Sequence, residues 1–122
     1  LGAVARERMA KLAGLSGKGR VVKIKKLHAL ARKLCSTLEF YGPINFQVLV
    51  EGGKPYVIEI NPRFSGTGIL SIAAGFNLPH LAILHALGKK LPKRIKIREG
   101  LIITRYVEDL FLEKKQLISK GA

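Results

Sequence analysis

Residues 44–61 alternate apolar and polar side chains on either side of Gly52-Gly53, and that alternation leaves few folds open. Ile44, Phe46, Val48 and Val50 alternate with Asn45, Gln47, Leu49 and Glu51, and Tyr56, Ile58 and Ile60 alternate with Val57, Glu59 and Asn61. A period of two around a glycine turn predicts an antiparallel hairpin. Its register follows from what each pairing places on a face. A two-residue turn at Gly52-Gly53 sets Gln47 opposite Ile58 and Phe46 opposite Glu59, mixing polar and apolar groups on both faces, which is costly wherever a face is buried. A three-residue turn at 52–54 sets Gln47 opposite Glu59 and Asn45 opposite Asn61 instead. One face is then apolar and the other gathers the polar side chains, so the three-residue turn is expected.

The second strand of that hairpin carries a carboxylate, Glu59, and a carboxamide, Asn61, two residues apart and hence on one face of the pleat. Pro62 ends the ladder, and Arg63-Phe64-Ser65-Gly66-Thr67 forms a small turn. Gln47, Glu59 and Asn61 offer oxygen ligands, which hard cations such as Mg²⁺ take. With one carboxylate among neutral amides, such a site completes its coordination with waters and substrate phosphates. Arg63 adds a planar fork suited to phosphate oxygens. The plainer alternative is an exposed strand on which Glu59 and Asn61 face solvent and Arg63 pairs with Glu59.

Around the hairpin, residues 1–10 read as a strand, and residues 14–20, Gly14-Leu15-Ser16-Gly17-Lys18-Gly19-Arg20, as a flexible glycine-rich connection. A phosphate-cradling loop needs Ser or Thr after Lys18, where Gly19 stands. From Ile24 to Leu38 the residues Leu27, Leu30, Ala31, Leu34, Cys35 and Leu38 recur at helical spacing, with His28 on the polar side. Ile69 to Ala74 predicts a short helix stopping at Gly75; Asn77 and Pro79 open another, ending at Gly88. Its His80 and His85 are five apart, not the spacing that aims two imidazoles at one metal. Residues 95–98 and 101–107 predict a second hairpin across Glu99-Gly100, and 109–122 a tail. The fold class expected is α+β, a mostly antiparallel sheet with helices packed on one face.

Composition narrows the function classes. The chain has 122 residues, 22 Lys+Arg against 8 Asp+Glu, and a formal net charge of +14. Such an excess attracts polyanions, so a basic nucleic-acid-binding module is the alternative function to weigh. The basic residues are spread along the chain, however, without the interleaved aromatics that stack bases. Apolar runs are broken by charge before a membrane span is reached, which points away from a membrane partner. The single Cys35 fits a reducing, cytoplasmic compartment and a structural thiol. No Ser/His/Asp or Cys/His arrangement suggests a protein nucleophile.

Gly42-Pro43-Ile44-Asn45-Phe46-Gln47, Tyr56 through Thr67, and Ser71-Ile72-Ala73-Ala74-Gly75-Phe76-Asn77-Leu78-Pro79 together resemble the C-terminal part of an ATP-grasp domain. The likeness is to the carbamoyl phosphate synthetase large chain and related carboxylate-amine ligases, and it covers most of residues 1–108. It implies an incomplete domain, a C-terminal lobe at 1–108 followed by the tail at 109–122. It further implies ATP and Mg²⁺, with Mn²⁺ as an alternative ion: Gln47 and Glu59 as ligands of one metal ion and Glu59 and Asn61 as ligands of a second, Glu59, Asn61 and Arg63 as the nucleotide-binding set, and Arg63 as the catalytic phosphate contact. The family's reaction activates a carboxylate or bicarbonate as an acyl phosphate for attack by an amine. The nucleotide-binding lysine and phosphate loop of the family are not recognisable here. With its first residue Leu1, the chain is therefore expected to be part of a longer ligase, inactive alone, whose partners are a missing N-terminal lobe and small-molecule carboxylate and amine substrates. A lobe of this kind is also expected to self-associate through exposed apolar surface.

Overall fold

Eight regular elements form among residues 2–12, 15–106, 108, 109 and 111, the residues described in the computed structural model. They are β1 (Ala5–Leu12), β2 (Leu15–Val22), α1 (Lys25–Thr37), β3 (Asn45–Glu51), β4 (Lys54–Asn61), α2 (Gly68–Ala73), α3 (Leu78–Ala86) and β5 (Ile102–Thr104). Every strand pairing is antiparallel, with β1-β2-β5 in one sheet and β3-β4 in another, an α+β arrangement as expected. Apart from Asp109 and Phe111, the expected tail lies outside the described residues.

The glycine-rich segment is not a flexible connection: residues 15–22 form β2, the central strand of the three-stranded sheet. Its glycines are there for close approach rather than for turning. A Cβ on Gly17 would lie 2.7 Å from Leu12 Cβ, and one on Gly19 would lie 3.2 Å from the Glu7 carbonyl oxygen. Val21, two residues further along, is almost fully buried and starts the core with Leu70 and Ala74 of the α2 region. Val4, Ile97, Leu101 and Ile103 pack against that trio.

The second hairpin also departs from expectation. Residues 95–98 form no strand, and β5 pairs with β2 instead. The backbone of this segment bonds to other elements: Arg98 N–H donates to the Ala74 carbonyl at 2.8 Å, Gly100 N–H to the Val21 carbonyl at 2.9 Å, and Val21 N–H to the Leu101 carbonyl at 2.9 Å. Docking there half-buries Ile97 and Leu101 against the core, which a free-standing hairpin does not achieve. Gly75 makes the docking feasible. Its φ is 101°, and a Cβ would lie 2.7 Å from the Lys96 carbonyl oxygen.

Helix α1 buries Ala31, keeps Leu27, Leu30, Leu34 and Cys35 half-buried, and lies against β4. Its Lys26 Nζ donates to the Gly53 carbonyl at 2.8 Å, tying the helix to the hairpin turn. His28 is half-buried rather than solvated. At the start of α3, Asn77 Oδ1 accepts from the His80 backbone N–H at 3.1 Å, with Pro79 in the first turn. Asn77→Ala removes that cap. The unfolding free energy in urea is expected to fall by about 1 kcal/mol with an unchanged m value.

Candidate functional site

Two glycines with left-handed backbones close the β3-β4 hairpin, Gly52 at φ 55° and Gly53 at φ 72°. A two-residue turn of that type matches the right-handed twist of the strands it joins. It pairs Glu51 with Lys54, Val50 with Pro55, Leu49 with Tyr56 and Val48 with Val57. The expected three-residue turn is therefore not formed. A bulge between Gln47 and Val48 then shifts the register by one, so that Gln47 faces Glu59, Phe46 faces Ile60 and Asn45 faces Asn61. The polar pairing is the one expected, reached by a different route. The bulged residue, Ile58, is left exposed, and Leu49 opposite Tyr56 carries the face on toward the turn.

At the polar end, Gln47 Nε2 donates to Glu59 Oε2, and Asn61 Nδ2 donates to Glu59 Oε1 at 2.8 Å. Glu59 thus holds a neutral amide on each carboxylate oxygen. Asn45, at the far end of the ladder, accepts at Oδ1 from Arg6 Nη2 at 3.2 Å. Arg8 Nη2 donates to Gln47 Oε1, also at 3.2 Å. On the polar face, hydrogen bonds therefore run from Arg8 through Gln47 and Glu59 to Asn61, and a second guanidinium from β1, that of Arg6, holds Asn45 beside them.

Those two arginines were not singled out by sequence reasoning, although the signal was present. Arg6 and Arg8 are two apart, so a strand at 5–12 sends both to one face and Glu7 to the other. There Glu7 meets its cross-strand neighbour Arg20 at 2.6 Å. Arg6 is the more deeply set of the pair. Besides Asn45, its Nη1 donates to the Thr67 carbonyl at 3.3 Å and to the buried Ser71 Oγ at 2.9 Å. Desolvation by burial lowers the Arg6 pKa from the usual arginine value. Arg105 Nη2 grips the same turn from the other sheet edge, donating to the Gly66 carbonyl at 2.6 Å.

Arg63 stands apart. Its Nη1 donates to the carbonyl of the neighbouring Phe64 at 3.0 Å, and its side chain is exposed. The ion pairs formed among the described residues are Arg20–Glu7 and Lys23–Glu99, so Arg63 does not pair with Glu59. That leaves an uncompensated carboxylate in a chain of formal net charge +14. The surrounding donor set, one carboxylate and two carboxamides, is chemically suited to a hard cation. Among the described residues, no group of three or more His, Cys, Asp or Glu forms a metal cluster, which makes the amides necessary partners in any such site.

Two depressions, of about 340 and 560 Å³, share Lys23 and His28 and lie away from the polar face. No helix among the described residues is long and apolar enough to cross a membrane.

Comparison with known proteins adds independent findings. A profile for a family described as "ATP-grasp in the biosynthetic pathway with Ter operon" matches residues 1–109. The carbamoyl phosphate synthase large chain of Caldanaerobacter subterraneus subsp. tengcongensis is 44% identical over 70 residues, covering 57% of this chain and 6% of that protein. The large chain of Thermus thermophilus is 42% identical over 77 residues, 62% of this chain and 7% of the relative. The C-terminal section of the large chain from Methanocaldococcus jannaschii is 35% identical over 88 residues, 71% of this chain and 14% of the relative. The chain thus spans between 6% and 14% of the length of these relatives.

Proposed function

The chain belongs to the ATP-grasp family, and from that premise we propose that it supplies the metal and phosphate side of a ligase site whose nucleotide-binding half is carried elsewhere. Residues 1–108 are the lobe and 109–122 a tail. Gln47, Glu59 and Asn61 hold Mg²⁺, or Mn²⁺ in its place, and Arg63 contacts the phosphate of ATP. The observation that carries this reading is Glu59: a carboxylate with an amide on each oxygen and no cation paired to it. A bound divalent cation neutralises charge on the transferring phosphoryl group.

In the reaction we propose, a carboxylate or bicarbonate oxygen attacks the γ-phosphorus of ATP and ADP leaves; an amine then attacks the acyl carbon and phosphate leaves. The role of this chain is binding and orientation. Glu59 and its two amides fix where the cation and hence the phosphates sit, and the Arg63 fork stabilises oxygen charge that grows in the transition state. A cytoplasmic location belongs to the same reading.

Turnover by the isolated chain is not expected, since adenine contacts and the acceptor pocket belong to the other lobe. Calorimetric titration of the 122-residue chain with MgATP at low salt tests this. Only weak binding is expected; tight, Mg-dependent binding overturns the division of the site between two lobes. The spread positive charge allows a nucleic-acid competitor in the same experiment. Binding of DNA or RNA that falls steeply with salt and is indifferent to Glu59→Gln belongs to that other class of function.

A further inference from the structure

Arg8 borders the polar face, and the structure engages a single one of its donors, Nη2, on Gln47 Oε1 at 3.2 Å. A guanidinium carries five N–H donors in a planar fork and no acceptor. The atom of Gln47 that faces Arg8 must therefore be the oxygen. The amide nitrogen is then committed to Glu59 Oε2, where it donates. A carboxamide presents its oxygen on one side and its nitrogen on the other. Gln47 cannot offer Oε1 to a cation beside Glu59 and keep it on Arg8, because the turned amide would set its N–H groups against the guanidinium, donor against donor.

We propose that Arg8 contacts the oxyanion that arrives with the cation, and that Gln47 couples the two events, an inference that rests on reading Gln47, Glu59 and Asn61 as the cation's ligands. When Oε1 moves to the cation, the Arg8 fork is left without its acceptor. It is then free to take two oxygens of one planar edge, a geometry common to a phosphoryl group and a carboxylate. Of the two guanidiniums that border the face, Arg8 is the freer, since Arg6 already serves Asn45, Thr67 and Ser71. Arg8 is exposed and bonds to no other side chain among those described, so its removal leaves the core intact.

The test is side-chain NMR on the 122-residue chain. Mn²⁺ alone is titrated first, followed by pyrophosphate or acetate in the presence of Mg²⁺. Mn²⁺ is expected to broaden the Gln47 and Asn61 side-chain amide signals in the wild type and not in Glu59→Gln. Mg-pyrophosphate is expected to shift the Arg8 Nε–H signal, and Arg8→Ala to weaken its binding about tenfold, the loss of one charge-assisted contact. Arg8→Lys keeps the charge without the fork and loses less. A larger effect of Arg8→Ala on acetate than on pyrophosphate identifies the anion as a carboxylate rather than a phosphoryl group. Retained Mn²⁺ broadening with anion affinities in Arg8→Ala equal to wild type overturns the role of Arg8 alone. Absence of Mn²⁺ broadening in the wild type removes the cation-site reading, and the coupling with it.

Discussion

Glu59→Gln, placed in a protein that carries both lobes, is expected to lower Mg-dependent ATP hydrolysis by roughly 100-fold or more while leaving the fold unchanged. The substitution keeps the size of the side chain and one oxygen, which accepts from Gln47, while the new amide N–H meets Asn61 only after Asn61 turns its own oxygen toward it, so one of the two hydrogen bonds persists as it stands. What disappears is the negative charge. Neutral amides alone are poor ligands for a hard cation, and no other carboxylate of the described residues joins the ladder to replace it. Because the side chain is exposed, stability is expected to stay within about 0.5 kcal/mol of wild type. Urea unfolding and phosphate release measured on the same preparation separate the two effects. Hydrolysis within a few-fold of wild type, at saturating Mg²⁺, would remove Glu59 from the cation site.

The hairpin was legible because its two strands repeat with period two and because a one-residue slip sends the polar set to the wrong face. The pairing of Gln47 with Glu59 and Asn45 with Asn61 follows from that constraint and is the pairing formed. The three-residue turn, by contrast, presupposes an unbroken ladder. A bulge at Ile58 lets the two-glycine turn and the polar register coexist, and bulges leave no periodic trace in a sequence. The segment 15–22 was missed for a related reason: Ser16, Gly17, Lys18 and Gly19 look like a loop by composition. Only the partner strand, with Leu12 and the Glu7 carbonyl pressed against them, explains glycine there. The strand expected at 95–98 depended on local alternation, and long-range bonds to Val21 and Ala74 outweighed it. Likewise the spacing of Arg6 and Arg8 puts both on one face of their strand, but what that face meets depends on contacts 39 residues distant in sequence.

Arg6→Met is expected to lower the unfolding free energy by about 3 kcal/mol, and Arg6→Lys by about half as much. One guanidinium joins three segments here, donating to Asn45 Oδ1, the Thr67 carbonyl and Ser71 Oγ. Methionine fills comparable volume, so the loss reads hydrogen bonding rather than a cavity. It strands the Ser71 hydroxyl, whose residue is only 5% exposed, and leaves Arg105 as the remaining side-chain anchor on the Gly66 turn. The opposing effect is desolvation, the cause of the lowered Arg6 pKa. A base whose pKa is lower in the folded state destabilises the fold while it is charged, and stability recovers only as the pH rises through that folded-state value toward the unfolded one. Arginine stays charged throughout the neutral range, so the difference between wild type and Arg6→Met is expected to be flat between about pH 5 and 9. Urea unfolding across that range checks the size, and amide exchange at Thr67 to Ser71 checks the location. If the total loss stays below about 1 kcal/mol, desolvation has cancelled the three bonds. Arg6 would then set the relative position of the sheet and the turn without stabilising them, and exchange at Thr67 to Ser71 would still quicken.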